Sequence, residues 1–325
     1  MSDAATPSLV IGTELQGATL AAVLRSMAPQ SSWSQARRLV ESRRVTVNNE
    51  PCLDPARRLK AGDVVTLAGR PAKLPEAFTA DLVVRHFDAH VVVVEKPPGI
   101  STVRHPTEKD WPQHRRDANP TLDDRLHRLI AAQLGQPLHS LPRLRKVHRL
   151  DKLTSGLVVF ARTATAEREL ARQFFRHTVT RNYLAVVPGR MGPVTIRTWL
   201  IPDRGDGRRG SSGVEGRGKL AVTHVEVVEE LPNHTLLRCR LETGRTHQIR
   251  IHLSELGYPI CGDPVYKVRP NGKQVVEDNS APRLALHAAE LGFNHPTTGE
   301  RLNWQMPMPK VLDDWIQSLR KPAGH

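Results

Sequence analysis

The chain has 325 residues, enough for about two domains of roughly 100–200 residues each, and its 39% hydrophobic content supports packed cores. Lys and Arg number 47 against 33 Asp and Glu, and the net charge of +14 points to a polyanionic partner or an acidic surface. No apolar run approaches the roughly 18 residues of a spanning helix, and Met1 to Pro7 holds no basic segment leading into a hydrophobic stretch, which argues against membrane and secretory classes. The scattered Cys52, Cys239 and Cys261 make neither a CxxC metal pair nor a disulfide framework, so a reducing, cytoplasmic setting is expected.

Residues 13–70 read as one small unit. Leu20, Val23, Leu24 and Met27 follow a helical period, and a second helix through Ala36, Leu39 and Val40 is expected with Ser34 as its cap. The β-branched run Val45-Thr46-Val47 leads into an Asn48-Asn49 turn, and Leu59 to Leu67 reads as a turn into another strand. Arg37, Arg38, Arg43, Arg44, Arg57 and Arg58 collect positive charge on or beside the second helix, either as a solvated face or as an anion-binding one. The order LxxxLR, SWSQARRLVESRRVTVNN, LKAGDVVTL resembles the alpha-L RNA-binding motif of a ribosomal small-subunit protein, in which the second helix and the following turn face RNA. On that resemblance Arg37, Arg38, Arg43 and Arg44 are expected RNA contacts. Arg44 stands where the family usually has a glycine, and Asn49 where a turn glycine is common.

Pro71 to Ala80, proline-flanked and aperiodic, reads as a linker, and a larger domain over 81–320 follows. It opens with Leu82 to Phe87, a turn, and the buried-type strand Val91-Val92-Val93-Val94 running into Glu95-Lys96-Pro97-Pro98-Gly99. The stretch 104–146 is basic and rich in His and Pro, with a helix expected near Asp123 to Gln133. Further strands are expected at Gly156–Ala161, Tyr183–Val187, His224–Glu229 and Leu236–Leu241, and helices at Glu167–Phe175 and Thr246–Leu256. Strands dominate with helices interspersed, so the class is α+β. The Gly/Arg-rich residues 203–219 lack apolar anchors and are expected to be a mobile loop.

Chemistry concentrates in Val147-His148-Arg149-Leu150-Asp151-Lys152-Leu153-Thr154-Ser155-Gly156, which runs straight into the strand Leu157 to Phe160. A carboxylate in a polar loop at the start of a buried strand is held rigidly beside a cation, and suits either a nucleophile or a loop-tying salt bridge. The segment VHRLDKLTSGLVVFART resembles the central motif of pseudouridine synthases of the RluA type. The blocks EKPPG, RNYLAVVPG, LETGRTHQIRIHLSELGYPICGDPVY and RLALHAAELGFNHPTTGE follow in that family's order. The resemblance spans 81–310 and implies a mainly antiparallel central sheet with flanking helices. It implies Asp151 as the catalytic aspartate, Tyr183 as the tyrosine packed on the target base and involved in proton transfer, and Arg250 as the partner that orients the carboxylate. It further implies that Arg149 pushes into RNA where the base leaves the stack, with His148, Thr154, Arg245, His247 and Lys96 as RNA-binding candidates around them. Thr243 or Thr246 is expected to cap the Arg250 helix and Gly257 to end it.

Isomerising uridine means breaking the bond from ribose to nitrogen 1, turning the base, and rejoining it through carbon 5. No atoms enter or leave, so a nucleophile, a closed pocket and proton handling suffice, with no redox cofactor, nucleotide or metal. His148, His247, His252 and His287 lack metal-ligand spacing. Gly213 to Lys219 has the GxxxxGK spacing, but Leu220 follows where Ser or Thr is needed, and no GxSxG elbow accompanies Ser155. The expectation is therefore a monomeric RNA pseudouridine synthase whose partner is ribosomal RNA of the large subunit. Transfer RNA, or a non-catalytic RNA-binding role in ribosome assembly, is the competing reading.

Overall fold

The structure, a computed structural model, describes residues 7–42, 44–48, 50–52, 54–69, 82–108, 110–204, 208–267 and 281–320. Arg43, Asn49 and the expected linker 71–80 lie outside these residues. The chain divides into two compact units, one of Met1–Thr79 with His105–Pro120, the other of Ala80–Arg104 with Thr121–His325.

The smaller unit holds β1 (Ser8–Val10), α1 (Leu20–Met27), α2 (Trp33–Glu41), β2 (Val45–Val47), β3 (Glu50–Pro51), β4 (Val64–Leu67) and the short helix α3 (Gln113–Ala118). Its antiparallel sheet runs β1-β4-β2-β3. Leu20, Val23 and Leu24 of α1 bury against Ala36 and Val40 of α2 and against Val45, Val47 and Val65 of the sheet, each Leu or Val side chain contributing roughly 1.5–3 kcal/mol when fully buried. Helix α2 starts two residues earlier than expected. Ser32, not Ser34, is its cap, in a reciprocal box where Ser32 Oγ accepts from Gln35 N at 3.1 Å and Gln35 Oε1 accepts from Ser32 N at 2.7 Å. Ser34 lies inside the helix, because the box needs Gln three positions on.

Asn48 takes the left-handed conformation at φ 55° and braces it by accepting from Val64 N, 2.8 Å. Arg44 has no positive φ, so the missing glycine costs nothing there. Its Nε and Nη2 donate to the carbonyls of Ala68 and Gly69, at 3.2 and 2.8 Å, which ties it within the module. Arg37 and Arg38 are exposed on α2. Part of the basic stretch also belongs to this unit: the Arg115 guanidinium stacks on Trp111 at 3.8 Å and donates to Asp54 at 3.1 Å.

The larger unit contains β5 (Val84–Phe87), β6 (Val91–Lys96), α4 (Leu122–Leu134), β7 (Arg145–Lys146), β8 (Ser155–Ala161), α5 (Ala164–Phe175), β9 (Thr180–Pro188), β10 (Val194–Ile201), β11 (Gly210–Ser212), β12 (Lys219–Glu230), β13 (His234–Leu241), α6 (Gln248–Glu255), β14 (Leu286–Asn294), β15 (Arg301–Gln305) and α7 (Lys310–Arg320). They build an eleven-stranded sheet in the order β11-β10-β12-β13-β9-β14-β8-β6-β5, with β15 on β14 and β7 on β8. Pairing is antiparallel throughout except between β14 and β8. The unbroken apolar runs of β6 and β8 follow from burial on both faces. Val92, Val94, Val158 and Phe160 face one core with α4, α6 and α7, while Val91, Val93, Leu157 and Val159 face another with α5.

Residues 203–219 depart from the mobile loop expected of them. Gly210–Ser212 pairs with β10, and Ser211 N donates to Glu255 Oε1 at 2.8 Å, so this edge is anchored by backbone bonds that a lack of apolar residues does not forbid. Residues 205–207 lie outside the described chain.

Candidate active site

The loop before β8 is laced to the turn after β6. Lys96, 1% exposed, donates to the carbonyls of Pro97, Ile100 and Lys152 at 2.9, 2.8 and 3.1 Å, matching the three N–H bonds of an ammonium. Gly99 N donates to Lys152 O at 2.7 Å, in a turn whose φ of 86° calls for glycine. Thr102 Oγ1 both donates to Leu150 O and accepts from Leu150 N, at 2.8 and 3.1 Å. These bonds clamp the backbone on either side of Asp151 and leave its carboxylate at the wall of a cavity of about 510 Å³, within the roughly 300–1,000 Å³ common for small-ligand sites.

Arg250 reaches the carboxylate from α6. Its Nη1 lies 3.4 Å from Asp151 Oδ2, while its Nε and Nη2 donate to the two oxygens of Asp263 at 2.7 and 2.8 Å. The Asp263 carboxylate is completely buried and also accepts from Val265 N and Tyr266 N. Burial opposes the Arg250 charge, but the Asp263 hydrogen bonds and the charges of Asp263 and Asp151 outweigh it and hold the pKa above the ordinary arginine value. Asp263 thus fixes the fork of the guanidinium, and the remaining nitrogen faces Asp151. Tyr266 lies under the guanidinium, 5.0 Å from its ring, and its hydroxyl is 2.9 Å from His247 Nδ1.

The start of α6 corrects a second expected cap. His247, not Thr243 or Thr246, is the N-cap, in the left-handed region at φ 60° and without a side-chain cap bond. Gln248 has taken over the local bonding: its Oε1 accepts from Arg245 N and Thr243 Oγ1 at 3.0 and 2.8 Å, and its amide donates to Val222 O and Thr223 Oγ1. The strained turn places His247 Nε2 at 3.9 Å from Asp151 Oδ1. Burial lowers the pKa of this ring, with Asp151 pulling the other way. Gly257 ends the helix at φ 89° as expected.

Tyr183, 8% exposed, stands on β9 between Cys239 of β13 and Ala288 of β14 and lines the same cavity. Burial pushes its phenol up to about 12, with Arg181 opposing and Asp151 adding to the rise, so near neutral pH it is a protonated donor.

The cavity therefore gathers Asp151, Tyr183 and Arg250, with Arg149, Arg245 and His247 on its lining. Three further expected RNA contacts are partly or wholly buried. Lys96 is buried under the loop, and Thr154 is only 2% exposed. His148 accepts from Val159 N at 3.0 Å and stacks on Phe174, and burial, with Arg181 nearby, drives its pKa down to about 3. Lys96 is thereby a brace set off from the cavity, whereas the half-buried His148 and the buried Thr154 stay on its lining. Asp263 and Tyr266 went unnoticed in the sequence because nothing in a spacing of thirteen residues from Arg250 marks a pair; only their place inside the GDPVY block hinted at them.

The family model for RNA pseudouridylate synthase matches residues 90–255, and that for the S4 domain matches residues 19–65. A Neisseria meningitidis serogroup B protein named ribosomal large subunit pseudouridine synthase D is 36% identical over 328 residues, covering 97% of this chain and 82% of its own. One of the same name from Nitrosomonas europaea is 35% identical over 318 residues, covering 97% and 88%. The solved structure of human RNA pseudouridylate synthase domain containing 4 shares the fold, with a TM-score of 0.57 at 23% identity over 73% of this chain and 92% of its own. The chain belongs to the RNA pseudouridylate synthases, isomerases that act on RNA, and carries an S4 domain at residues 19–65.

Proposed function

We propose that this chain converts uridine to pseudouridine in large-subunit ribosomal RNA, with Asp151 as the nucleophile on a base turned out of the RNA. The observation that carries the reading is the row Asp151–Arg250–Asp263, a carboxylate at a cavity wall faced by a guanidinium that a second, buried carboxylate holds in place. The names of the relatives support the ribosomal substrate.

In this reading the cavity receives the extruded uridine, and Asp151 supplies the nucleophile that lets the bond from ribose to nitrogen 1 break. The detached base turns within walls that retain it, carbon 5 bonds to the ribose, and the proton of carbon 5 leaves while nitrogen 1 gains one. Arg250 aims the carboxylate. Tyr183 packs on the base and takes part in proton transfer through its protonated phenol. Arg149, exposed at the mouth, enters the space the base vacates. No resident cofactor or metal is called for, since the atoms balance within the nucleoside. Arg37 and Arg38 of the S4 domain meet phosphates, an interaction that weakens with salt. No described helix is long and apolar enough to cross a membrane, and we place the protein with its RNA in the cytoplasm, acting as a monomer.

The test is a map of pseudouridine by carbodiimide-blocked reverse transcription in cells with the gene, without it, and complemented by Asp151→Asn. Ribosomal stops lost in the deletion and not restored by Asp151→Asn are expected. Stops in transfer RNA would overturn the substrate, and full restoration by Asp151→Asn would overturn the role of Asp151. An unchanged map together with impaired ribosome assembly would replace the enzyme with an RNA-binding factor.

A further inference from the structure

Helix α5 ends in two aromatics that face different surroundings. Phe174 turns inward onto the His148 ring, 4.8 Å between centroids, with the Arg181 guanidinium 5.3 Å from the centroid of the Phe174 ring. Phe175, one position on, is 83% exposed, more than any other large apolar side chain among the described residues. The fold gains no packing from it. Backbone bonds hold its place firmly: Arg176 N donates to Arg172 O, His177 N to Phe174 O and Thr178 N to Gln173 O, through a left-handed turn at His177 with φ 57°. Yet Phe175 lines the same cavity as Asp151, and Lys146, Arg149 and His177 share that lining.

An exposed ring set among cations at the edge of a base-accepting cavity has the two parts of a single-strand binding subsite, a π-face for a base and positive charge for its phosphates. Extruding a uridine also leaves its neighbours short of a stacking partner, and a ring at the rim can replace the one they lose. We propose that Phe175 is a stacking platform for the base of a nucleotide next to the target uridine, with Lys146 beside it facing the backbone. The inference rests on the function proposed above and adds a subsite that helps select the sequence or structure around the target.

The experiment compares the full chain with Phe175→Ala, Phe175→Leu and Phe175→Trp in single-turnover pseudouridine formation. The probes are protein-free large-subunit ribosomal RNA and bulk transfer RNA from a strain lacking the gene. On whichever RNA the wild type modifies, Phe175→Ala and Phe175→Leu are expected to raise the half-saturating RNA concentration about five- to a hundredfold, with the rate at saturation nearly unchanged, while Phe175→Trp retains it. Leu keeps apolar bulk without a π-face, so a Leu variant as good as Phe would overturn stacking. A photoreactive benzoylphenylalanine at position 175 is expected to cross-link within two or so nucleotides of the modified uridine, and a distant cross-link would also overturn the proposal. Product formed equally by wild type and Phe175→Ala removes this inference alone. No product from the wild type on either RNA removes the proposed function and this inference with it.

Discussion

Replacing Asp263 by Asn tests the link between the buried core and the nucleophile. The Asp263 side chain is 0% exposed and that of Arg250 4%, and the two share paired bonds of 2.7 and 2.8 Å. Asn keeps the size but loses the charge, and its amide nitrogen meets the Arg250 donors instead of accepting from them. Arg250 is then left with Asp151 at 3.4 Å as its facing carboxylate in this row. Removing one partner of a buried ion pair costs about 3–5 kcal/mol, because the other charge stays desolvated. A loss of that size is expected in urea unfolding followed by fluorescence. The freed guanidinium turns toward Asp151 and clamps the carboxylate, so kcat falls on the order of a hundredfold with a smaller change in KM. A double-mutant cycle with Arg250→Met isolates the pair, and a coupling of at least about 2 kcal/mol is expected. A loss under about 1 kcal/mol with additive single variants would show that Asp263 does not position Arg250.

Two further outcomes follow from buried features of the larger unit. Gly156 sits at φ +124° where β8 meets β14, and a Cβ there lies 2.3 Å from Ala288 O, so Gly156→Ala forces the strands apart and is expected to cost about 3 kcal/mol or more, read as a lower unfolding midpoint. His252 and His287 are both fully buried, and burial lowers each pKa to about 4; Arg283 adds to the shift of His287. Because the folded pKa lies below the unfolded value of about 6.5, their contribution is complete above pH 6.5 and is lost as pH falls toward 4, at up to about 1.4 kcal/mol per pH unit for each. Unfolding midpoints between pH 7 and 4.5 check this, and His252→Gln should flatten the slope; an unchanged slope would place the acid sensitivity elsewhere.

Much of the architecture was legible from local chemistry. The Val91–Val94 and Leu157–Phe160 runs announced strands buried on two faces, and the 3.6-residue spacing of Leu20, Val23 and Leu24 announced a helix, since each pattern encodes its own burial. Caps were read less well. Ser34 and Thr243 are sound cap residues by type, but Gln35 and Gln248 decide where the bonds go, and a side-chain bond three or five residues away leaves no periodic trace. The anchoring of Gly210–Ser212 escaped notice for the same reason, because it depends on backbone pairing and on Glu255 from another element.

Among the site residues, the sequence alone determined the family, the α+β class and the identity of Asp151, Tyr183 and Arg250 as the residues to examine, because the motifs that carry them are contiguous and ordered along the chain. The tertiary structure decided what each neighbour does. Lys96 reads like an RNA contact but is a buried brace, while His148, half-buried on the cavity lining, also accepts from Val159 N. Asp263, 112 positions beyond Asp151, controls the arginine that faces it, and Phe175, an unremarked helix-end aromatic, stands exposed at the cavity rim. Polar and aromatic side chains serve equally as braces or as contacts. Only burial and the partners brought together by folding distinguish the two uses, and neither quantity is local in sequence.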